Sequence, residues 1–373
     1  MFNQNDFRDP ALAHKLIEGI EHYAREIADA KGEDYTVHLM EVCGTHTMSI
    51  AKNGLRNVMP ANVKLTSGPG CPVCVTANKD IDMAIELAKQ EGVIVATFGD
   101  MLKVPGSYSS MQKEKGLGGD VRVVYSPLDA LALAQNNPDK HVVFISVGFE
   151  TTTPIISATI KRAAALELEN FSIYAANKTV PNALRAIADD PAIQIDALIL
   201  PGHVSTIIGC EPYQFLADEF HIPGVVTGFE PLDVLQGIFL LLEQLAKGEA
   251  NIDIAYTRGV QPKGNQTAVD AIYEVFEPTD AQWRGLGLIP GTGLEIRPEF
   301  AQFNALKRLE LHPPEPRETK GCQCGDVLRG AMLPYECRLF GRTCTPEHPI
   351  GPCMVSSEGS CAAYYRYTDY GRN

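Results

Sequence analysis

Residues 37–47 have the sequence VHLMEVCGTHT, a short apolar run followed at once by Cys43 and His46. Residues 142–152 have the sequence VVFISVGFETT, again an apolar run, this time followed by Glu150. Short runs that are apolar nearly throughout predict strands buried on both faces, as in parallel sheets. We therefore expect an α/β fold in which reactive side chains directly follow the strands.

Apolar runs of this kind recur along the chain and alternate with segments of helical periodicity, the pattern of strand-plus-helix units. The runs are Val37–Val42, Val63–Thr66, Val93–Phe98, Val121–Tyr125, Val142–Val147, Ser172–Ala175, Ala197–Leu200 and Gly224–Thr227. The fourth and the eighth are followed by similar sequences, at 126–131 and 230–235. The runs thus divide into two sets of four, which predicts two similar parallel-sheet α/β domains facing a cleft.

The predicted boundaries follow from these sets. Residues 1–35 form an N-terminal helix packing on the C-terminal domain, 36–140 the first α/β domain, 141–230 the second, and 231–373 a smaller C-terminal domain. In open parallel sheets, ligands lie beyond the carboxyl ends of the strands. The loops that carry the cysteine, histidine and carboxylate motifs of this chain all follow strands, so we expect one cleft between the two domains.

Local patterns complete the expected secondary structure. Helices are predicted over 9–30, from Asp233 to about Lys247, and over 265–276. Segments 285–289 and 294–297 flank Pro-Gly-Thr-Gly, which predicts a hairpin. The proline-rich residues 312–316 predict a stiff linker.

Composition excludes several classes of function. The net charge of −14 argues against nucleic acid and anionic membranes as partners. Residues 1–6 lack the basic start of a signal peptide, and no apolar stretch is long enough to span a bilayer. We expect a soluble cytoplasmic protein, in which thiols stay reduced and are available to metals.

Cysteines dominate the C-terminal region. Twelve, six and sixteen residues separate Cys324, Cys337, Cys344 and Cys361. Four thiolates on loops suit a [4Fe–4S] cluster, whereas zinc sites are usually built from close pairs, which this spacing lacks. Zinc, or no metal at all, remains an alternative. Because Cys322 and Cys353 lie in the same region, spacing alone leaves the four ligands open.

Two further thiol motifs lie upstream. Cys71 and Cys74 form a CxxC led by Gly-Pro-Gly, which predicts a redox dithiol; half a zinc site or two buried thiols are the alternatives. Cys43 and His46 could bind iron or zinc, or act as a nucleophile with its base. A buried cysteine beside a capping threonine would also explain this segment.

Other polar residues after strands are candidates for the cleft. His203 could face the cleft or be a hydrogen-bonded loop histidine. Glu150 and Glu230 could bind a cation or carry protons, or cap helices, and Asp100 is expected to cap a helix. Cys210 is expected in the core. No phosphate-binding loop or dinucleotide fingerprint predicts a site for ATP or NAD.

Together these motifs resemble the hydrogenase maturation factor HypD family over residues 9–367. The segments that carry the resemblance are Glu41–Thr47, Gly68–Cys74, Thr97–Asp100, Gly148–Thr152, Pro201–Ser205, Gly228–Asp233, Glu336–Gly341 and Val355–Cys361. The chain has Thr45 where the family often has a second glycine, a change that keeps Cys43 and His46 in place.

The resemblance implies a function that spacing does not. The family helps to assemble the Fe(CN)2CO unit of [NiFe] hydrogenases with a small partner, HypC, and receives cyanide from HypE, with HypF upstream. Its pattern implies cluster ligands at Cys324, Cys337, Cys344 and Cys361, and hence a C-terminal iron–sulfur domain.

The leading hypothesis is a redox scaffold that holds iron with CN and CO ligands on Cys43, with His46 as a second candidate ligand, while Cys71 and Cys74 carry electrons from the cluster. A stand-alone thiol–disulfide oxidoreductase with a structural cluster and a zinc-stabilised adaptor are the alternatives.

Overall fold

Two parallel sheets and one antiparallel hairpin form the framework of the computed structural model, which describes residues 9–371. The segment on which the signal-peptide prediction rests, residues 1–6, lies outside the described residues. None of the helices between residues 9 and 371 combines the length and the apolar character needed to cross a bilayer.

The strands of the described chain follow the predicted apolar runs closely. They are β1 (Val37–Glu41), β2 (Val63–Ser67), β3 (Val93–Thr97), β4 (Asp120–Val123), β5 (His141–Ser146), β6 (Phe171–Ala175), β7 (Ala197–Pro201), β8 (Gly224–Thr227), β9 (Ile252–Ile254), β10 (Phe276–Trp283) and β11 (Gly287–Ile296). All eight predicted runs are strands, and β9 is a further strand that the sequence analysis did not predict.

Helices connect and cover the strands. They are α1 (Pro10–Lys31), α2 (Gly44–Lys52), α3 (Pro72–Val75), α4 (Asn78–Lys89), α5 (Gly99–Lys103), α6 (Met111–Gly116), α7 (Pro127–Asn136), α8 (Thr153–Ala165), α9 (Pro181–Ala188), α10 (Gly202–Ile208), α11 (Gln214–Asp218), α12 (Pro231–Lys247), α13 (Gln266–Val275), α14 (Ala305–Arg308), α15 (Cys324–Leu328) and α16 (Ser360–Tyr367). The predicted helices over 9–30, 233–247 and 265–276 correspond to α1, α12 and α13.

The α/β class is confirmed, but the division into two consecutive sets of four strands is wrong. Sheet 1 has the order β2-β1-β7-β8-β9 and sheet 2 the order β4-β3-β5-β6. Sheet 2 is therefore a continuous insertion between β2 and β7. Because β1 pairs with β7 in parallel, with Leu39 opposite Ala197, the boundaries predicted at 140/141 and 230/231 do not separate the sheets.

Sheet 1 is buried on both faces, and its two faces cover different parts of the chain. Val37 and Leu39 of β1 pack into a core with α1 and α12. Met40 and Val42 pack into the core that contains the CxxC motif and the C-terminal cysteines. Since neighbouring strand residues point to opposite faces, sheet 1 separates the N-terminal helix from the thiols.

The N-terminal helix packs as a surface layer on sheet 1. Asp9 caps it by accepting from Ala11 N at 2.8 Å, with Pro10 at the first position, as predicted. Its buried stripe of Ile20, Ala24 and Ile27 lies in the α12 core. Although α12 falls within residues 231–373, it belongs to the layer on sheet 1. The helix therefore does not pack on the cysteine-rich region.

The hairpin lies elsewhere than the sequence indicated. Strands β10 and β11 pair from Phe276 opposite Ile296 to Trp283 opposite Gly287, so the turn is at 284–286. Gly285 supplies the positive φ of +81° that this turn needs. The Pro-Gly-Thr-Gly segment is instead inside β11, where the pairing register shifts between Thr279 and Ala281. A β-bulge thus accounts for glycines that predicted a turn.

Candidate metal and redox site

Two thiol-bearing loops lie side by side at the carboxyl ends of β1 and β2. These strands pair in parallel with Glu41 opposite Ser67, so both loops leave the sheet at the same edge. Gly44 N donates to Gly70 O at 3.1 Å. A Cβ on Gly70 would lie 2.2 Å from Cys43 N, and only glycine allows so close an approach. The structure therefore brings Cys43 next to the CxxC segment.

Cys43 is a free, buried thiol at the N-cap of α2. Burial, with a smaller contribution from the Glu358 carboxylate, raises the pKa of the Cys43 thiol to about 12. At neutral pH the sulfur is protonated, so it is a poor nucleophile by itself. A bound cation would supply the charge needed to release that proton. This environment suits a metal ligand better than a free catalytic thiolate.

His46 offers one nitrogen for a metal. Its Nε2 lies 3.0 Å from Gly228 O and 2.8 Å from Thr227 Oγ1. Burial lowers the pKa of His46 to about 4, so the ring is neutral. A carbonyl oxygen only accepts, which assigns the proton to Nε2 and leaves a lone pair on Nδ1. Within residues 9–371, that buried Nδ1 has no hydrogen-bond partner.

An aromatic ring joins the two predicted histidines. Phe229 stacks on His46 with ring centroids 4.8 Å apart and on His203 with centroids 3.9 Å apart. His203, at the start of α10, is exposed. The three rings form a wall from the buried ring of His46 to the surface, so both histidines belong to one site.

Glu150 is buried on the loop after β5, and its Oε1 accepts from Val180 N at 2.8 Å. Burial raises the pKa of this carboxyl to about 7. Tyr213 lies near both Glu150 and Cys43; burial, and then the Glu150 charge, raises the pKa of its hydroxyl well above the usual value. A carboxyl that titrates near neutrality beside a protonated phenol can accept and return a proton.

Asp100 and Glu230 lie at helix starts. Asp100 is exposed in the first turn of α5, whose N-cap is Phe98, so it does not cap the helix as predicted. Glu230 is the N-cap of α12 and forms a capping box with Asp233. Cys210 is buried in the core, as expected. The cap interpretation of Glu230 is thus confirmed, and a role in the cleft for either carboxylate stays a prediction.

Cys71 and Cys74 form a disulfide in the structure. Cys71 caps the short helix α3, and its Sγ accepts from Cys74 N at 3.3 Å. Both residues are buried, at 4% and 0% exposure. An external thiol must reach a sulfur to exchange with it, so a buried disulfide suits an internal partner better than a soluble substrate.

The C-terminal thiols surround one pocket. Its lining includes Cys322, Cys324, Cys337, Cys344 and Cys361 together with apolar side chains such as Phe340 and Met354. Cys353 lies outside the lining but within hydrogen-bonding reach of Cys324 and Cys361. The four sulfur atoms named by the family pattern thus face a common space, and Cys322 is a fifth candidate.

The chemistry of this donor set is compatible with a [4Fe–4S] cluster. Between residues 9 and 371, no three His, Cys, Asp or Glu side chains converge on a point that would hold one metal ion. Each thiolate of a [4Fe–4S] cluster binds a different iron, so its sulfur atoms stand around the cluster rather than meeting. Cysteines spread around an apolar pocket match that requirement.

The thiol pocket lies close to the CxxC motif. Helix α3 packs against the short 3-10 helix Pro352–Met354, which carries Cys353. Arg284 N donates to Val75 O at 2.9 Å, and Arg284 Nε donates to Thr76 O at 3.1 Å. Hydrogen bonds from Cys322 and Cys353 lower the pKa of the Cys324 thiol, and the charge of the same guanidinium adds to this effect. One shared core therefore connects the disulfide and the pocket.

Known proteins resemble this chain over nearly its whole length. The family model "HypD: Hydrogenase formation hypA family" matches residues 18–368. The chain belongs to the HypD family. It is 45% identical over 368 residues to the hydrogenase maturation factor HypD of Rhodobacter capsulatus, covering 97% of both chains. It is 42% identical over 364 residues to the HypD of Escherichia coli (strain K12), again covering 97% of each.

Sequence reasoning missed three residues of this HypD-family site. Glu358 accepts a hydrogen bond from Thr45, Glu41 accepts one from Thr47 at 2.6 Å, and Tyr213 lies beside Glu150. Burial raises the pKa of Glu41 to about 7. Glu41 and Glu358 both lie inside segments that carry the family resemblance, so that signal was present. Tyr213 lies outside those segments.

Proposed function

We propose that this chain is a hydrogenase maturation factor that acts in the cytoplasm as a redox scaffold for assembling an iron centre with CN and CO ligands. The observation that carries the proposal is the core shared by the Cys71–Cys74 disulfide and the C-terminal thiols, with the backbone of Cys43 packed against the CxxC loop at Gly70. Its relatives are named as hydrogenase maturation factors, which supports the choice of product.

The iron being assembled is the substrate, and Cys43 is its proposed anchor. The protonated thiol would lose its proton on binding the metal, and His46 Nδ1 offers a second lone pair. Soft sulfur and imidazole ligands suit iron that carries cyanide and CO. The remaining ligands are proposed to come from a small HypC-type partner, with cyanide delivered by a HypE-type donor.

The CxxC motif would supply the electrons for cyanide transfer. A thiocyanate-like carrier, R–S–CN, and two thiols give R–SH, a disulfide, and cyanide with one proton. The S–CN bond breaks, one S–S bond forms, and the two thiols are oxidised. The observed disulfide matches the product side of this equation.

Restoring the dithiol requires two electrons and two protons. A [4Fe–4S] cluster held by Cys324, Cys337, Cys344 and Cys361 would supply electrons one at a time. Glu150 is the proposed proton source, because burial raises the pKa of its carboxyl to about 7. The burial of the disulfide favours this internal route over a stand-alone oxidoreductase acting on soluble substrates.

Iron stoichiometry tests the proposal. The chain, purified anaerobically with its HypC-type partner, should carry the four irons of the cluster and additional iron bound at Cys43. The Cys43→Ala variant should keep the brown colour and lose only the additional iron. Equal iron contents in the two proteins would refute the anchoring role of Cys43, and a colourless protein containing zinc would support the adaptor alternative.

A further inference from the structure

A cationic groove lies directly behind the thiol pocket. Its walls are residues 103–113, 317–320 and 346–350, and its volume is about 720 Å³. The exposed cations Lys103, Lys113, Arg317 and Lys320 line it, against the acids Glu318 and Glu347. This concentration of positive charge contrasts with the net charge of −14 of the whole chain.

The two acids cancel only part of that charge. Glu318 forms an ion pair of 3.3 Å with Arg284, whose side chain is buried behind the groove. Hydrogen bonds from its own backbone N–H and from Thr345 lower the pKa of the Glu347 carboxyl, so this acid offsets one of the four cations. Lys103, Lys113 and Lys320 form no ion pair within residues 9–371. The three lysine charges are therefore available to a partner.

The groove is preformed because hydrogen bonds tie its walls together. Arg317 N donates to Ser107 Oγ at 2.7 Å, and Asn78 Nδ2 donates to Arg317 O at 2.7 Å. Ser107 N in turn donates to Asp82 Oδ1 at 2.7 Å. These bonds hold the 317–320 segment against 105–109, so a partner meets a shaped surface rather than two loose loops.

Only a thin wall separates the groove from the thiols. Ile350 lines the groove, and its backbone N donates to Cys344 Sγ at 3.4 Å. Gly351, the next residue, lines the thiol pocket. On the other wall, Lys320 lies two residues before Cys322, which also lines the pocket. A redox partner seated in the groove would thus be one residue away from a candidate ligand sulfur.

We propose that this groove is the docking surface for an acidic protein that carries one electron at a time, such as a ferredoxin. This inference rests on the proposed function, because it supplies the reductant that the disulfide requires. A cluster held by the pocket cysteines would accept one electron from the carrier at each docking event. Two such electrons and two protons would break the S–S bond and give the two thiols. Opposite charges steer such a carrier to one place on an otherwise negative protein.

Binding of oxidised plant-type [2Fe–2S] ferredoxin to the full-length chain tests the surface. The triple variant Lys103→Glu, Lys113→Glu, Lys320→Glu should bind at least about tenfold more weakly than the wild type at about 0.05 M salt, and the wild type should lose most of its affinity at about 0.5 M salt. The matched control is Lys15→Glu, Lys263→Glu, Lys307→Glu, which changes the same net charge at exposed lysines elsewhere. Equal weakening in both triple variants, or no binding by the wild type, would overturn the proposal.

Reduction separates an electron carrier from any other acidic partner. Reduced ferredoxin should bleach the visible absorption of the wild type and of the control variant at similar rates. It should bleach the absorption of the groove variant at least about tenfold more slowly. Dithionite, which needs no docking surface, should bleach all three proteins equally. If the groove variant binds ferredoxin more weakly but is reduced as fast as the wild type, the groove is not the docking surface of an electron carrier. If dithionite bleaches none of them, the proposed cluster fails, and the binding experiment alone decides the docking surface.

Discussion

Thr45 Oγ1 donates a hydrogen bond of 2.7 Å to Glu358 Oε1, and this bond joins the loop after β1 to the cysteine-rich region 313 residues away. Gly44 lies equally close, since a Cβ there would be 2.6 Å from Glu358 Cβ. Three residues after Glu358 is Cys361, a candidate cluster ligand. The loop that carries Cys43 and the segment that carries Cys361 are thus connected through one carboxylate.

The first prediction concerns the charge of Glu358. Because this carboxylate adds to burial in raising the pKa of Cys43, Glu358→Gln should increase the rate at which iodoacetamide labels Cys43 at pH 8 by about threefold. The rate is measured by mass spectrometry of the Cys43 peptide. Thr45→Val, which removes the bond but keeps the charge, is the control. If it accelerates labelling as much as Glu358→Gln, the effect is one of access and not of charge.

The second prediction concerns the contact between the two loops. Gly70→Ala would place a Cβ 2.2 Å from Cys43 N, so backbone must move, and we expect a loss of about 2–4 kcal/mol in the free energy of unfolding. Gly116→Ala, in a helix with nothing within 4 Å of its Cβ, should be neutral or slightly stabilising. Urea denaturation measures both. Similar effects of the two substitutions would contradict the close approach of the loops.

The third prediction is a pH dependence at Glu150. The carboxyl ionises near 4.5 in the unfolded chain and near 7 in the fold, so between these values the folded form binds more protons. Its contribution to stability therefore falls as pH rises through this window and stays low above it. Glu150→Gln keeps an acceptor for Val180 N and removes the charge.

Glu150→Gln should accordingly match the wild type near pH 5 and exceed it by up to about 3 kcal/mol at pH 8. Urea denaturation at the two pH values measures the difference. Glu41 titrates in the same window in both proteins, so its effect cancels. An advantage of equal size at pH 5 and pH 8 would show that Glu150 is not the titrating group.

The fourth prediction concerns the ligands of the cluster. Alanine at Cys324, Cys337, Cys344 or Cys361 should abolish the visible absorption of the anaerobically purified protein, whereas Cys353→Ala should keep it, because Cys353 lies outside the pocket lining. Cys322→Ala is the sharper test, since this thiol does line the pocket. Loss of absorption in Cys322→Ala, with retention in one of the four, would reassign the ligand set.

Local sequence was sufficient to predict where the strands end and which loops lie together at the edge of sheet 1. Apolar runs give the strand positions, and parallel pairing then places Cys43 and Gly70 at one edge, as Glu41 opposite Ser67 shows. The family resemblance implied which four of the six C-terminal cysteines are cluster ligands. The spacing of those cysteines alone left that choice open.

Partners distant in sequence could not be predicted in the same way. The pairing of β1 with β7 brings together segments about 160 residues apart, and no local pattern specifies it. Tyr213 and Glu358 join the site only through such packing, and neither carries a local signal of its function. The hairpin turn was predicted at the wrong position because Gly291 and Gly293, which lie at a β-bulge, are of a residue type that is common in turns.

Infrared spectroscopy of the chain purified anaerobically with its HypC-type partner tests the central claim most directly. We expect CN and CO stretching bands in the wild type, and no such bands in Cys43→Ala, whose cluster absorption should be unchanged. Bands that persist at full intensity in Cys43→Ala would contradict the assembly of the iron centre on Cys43.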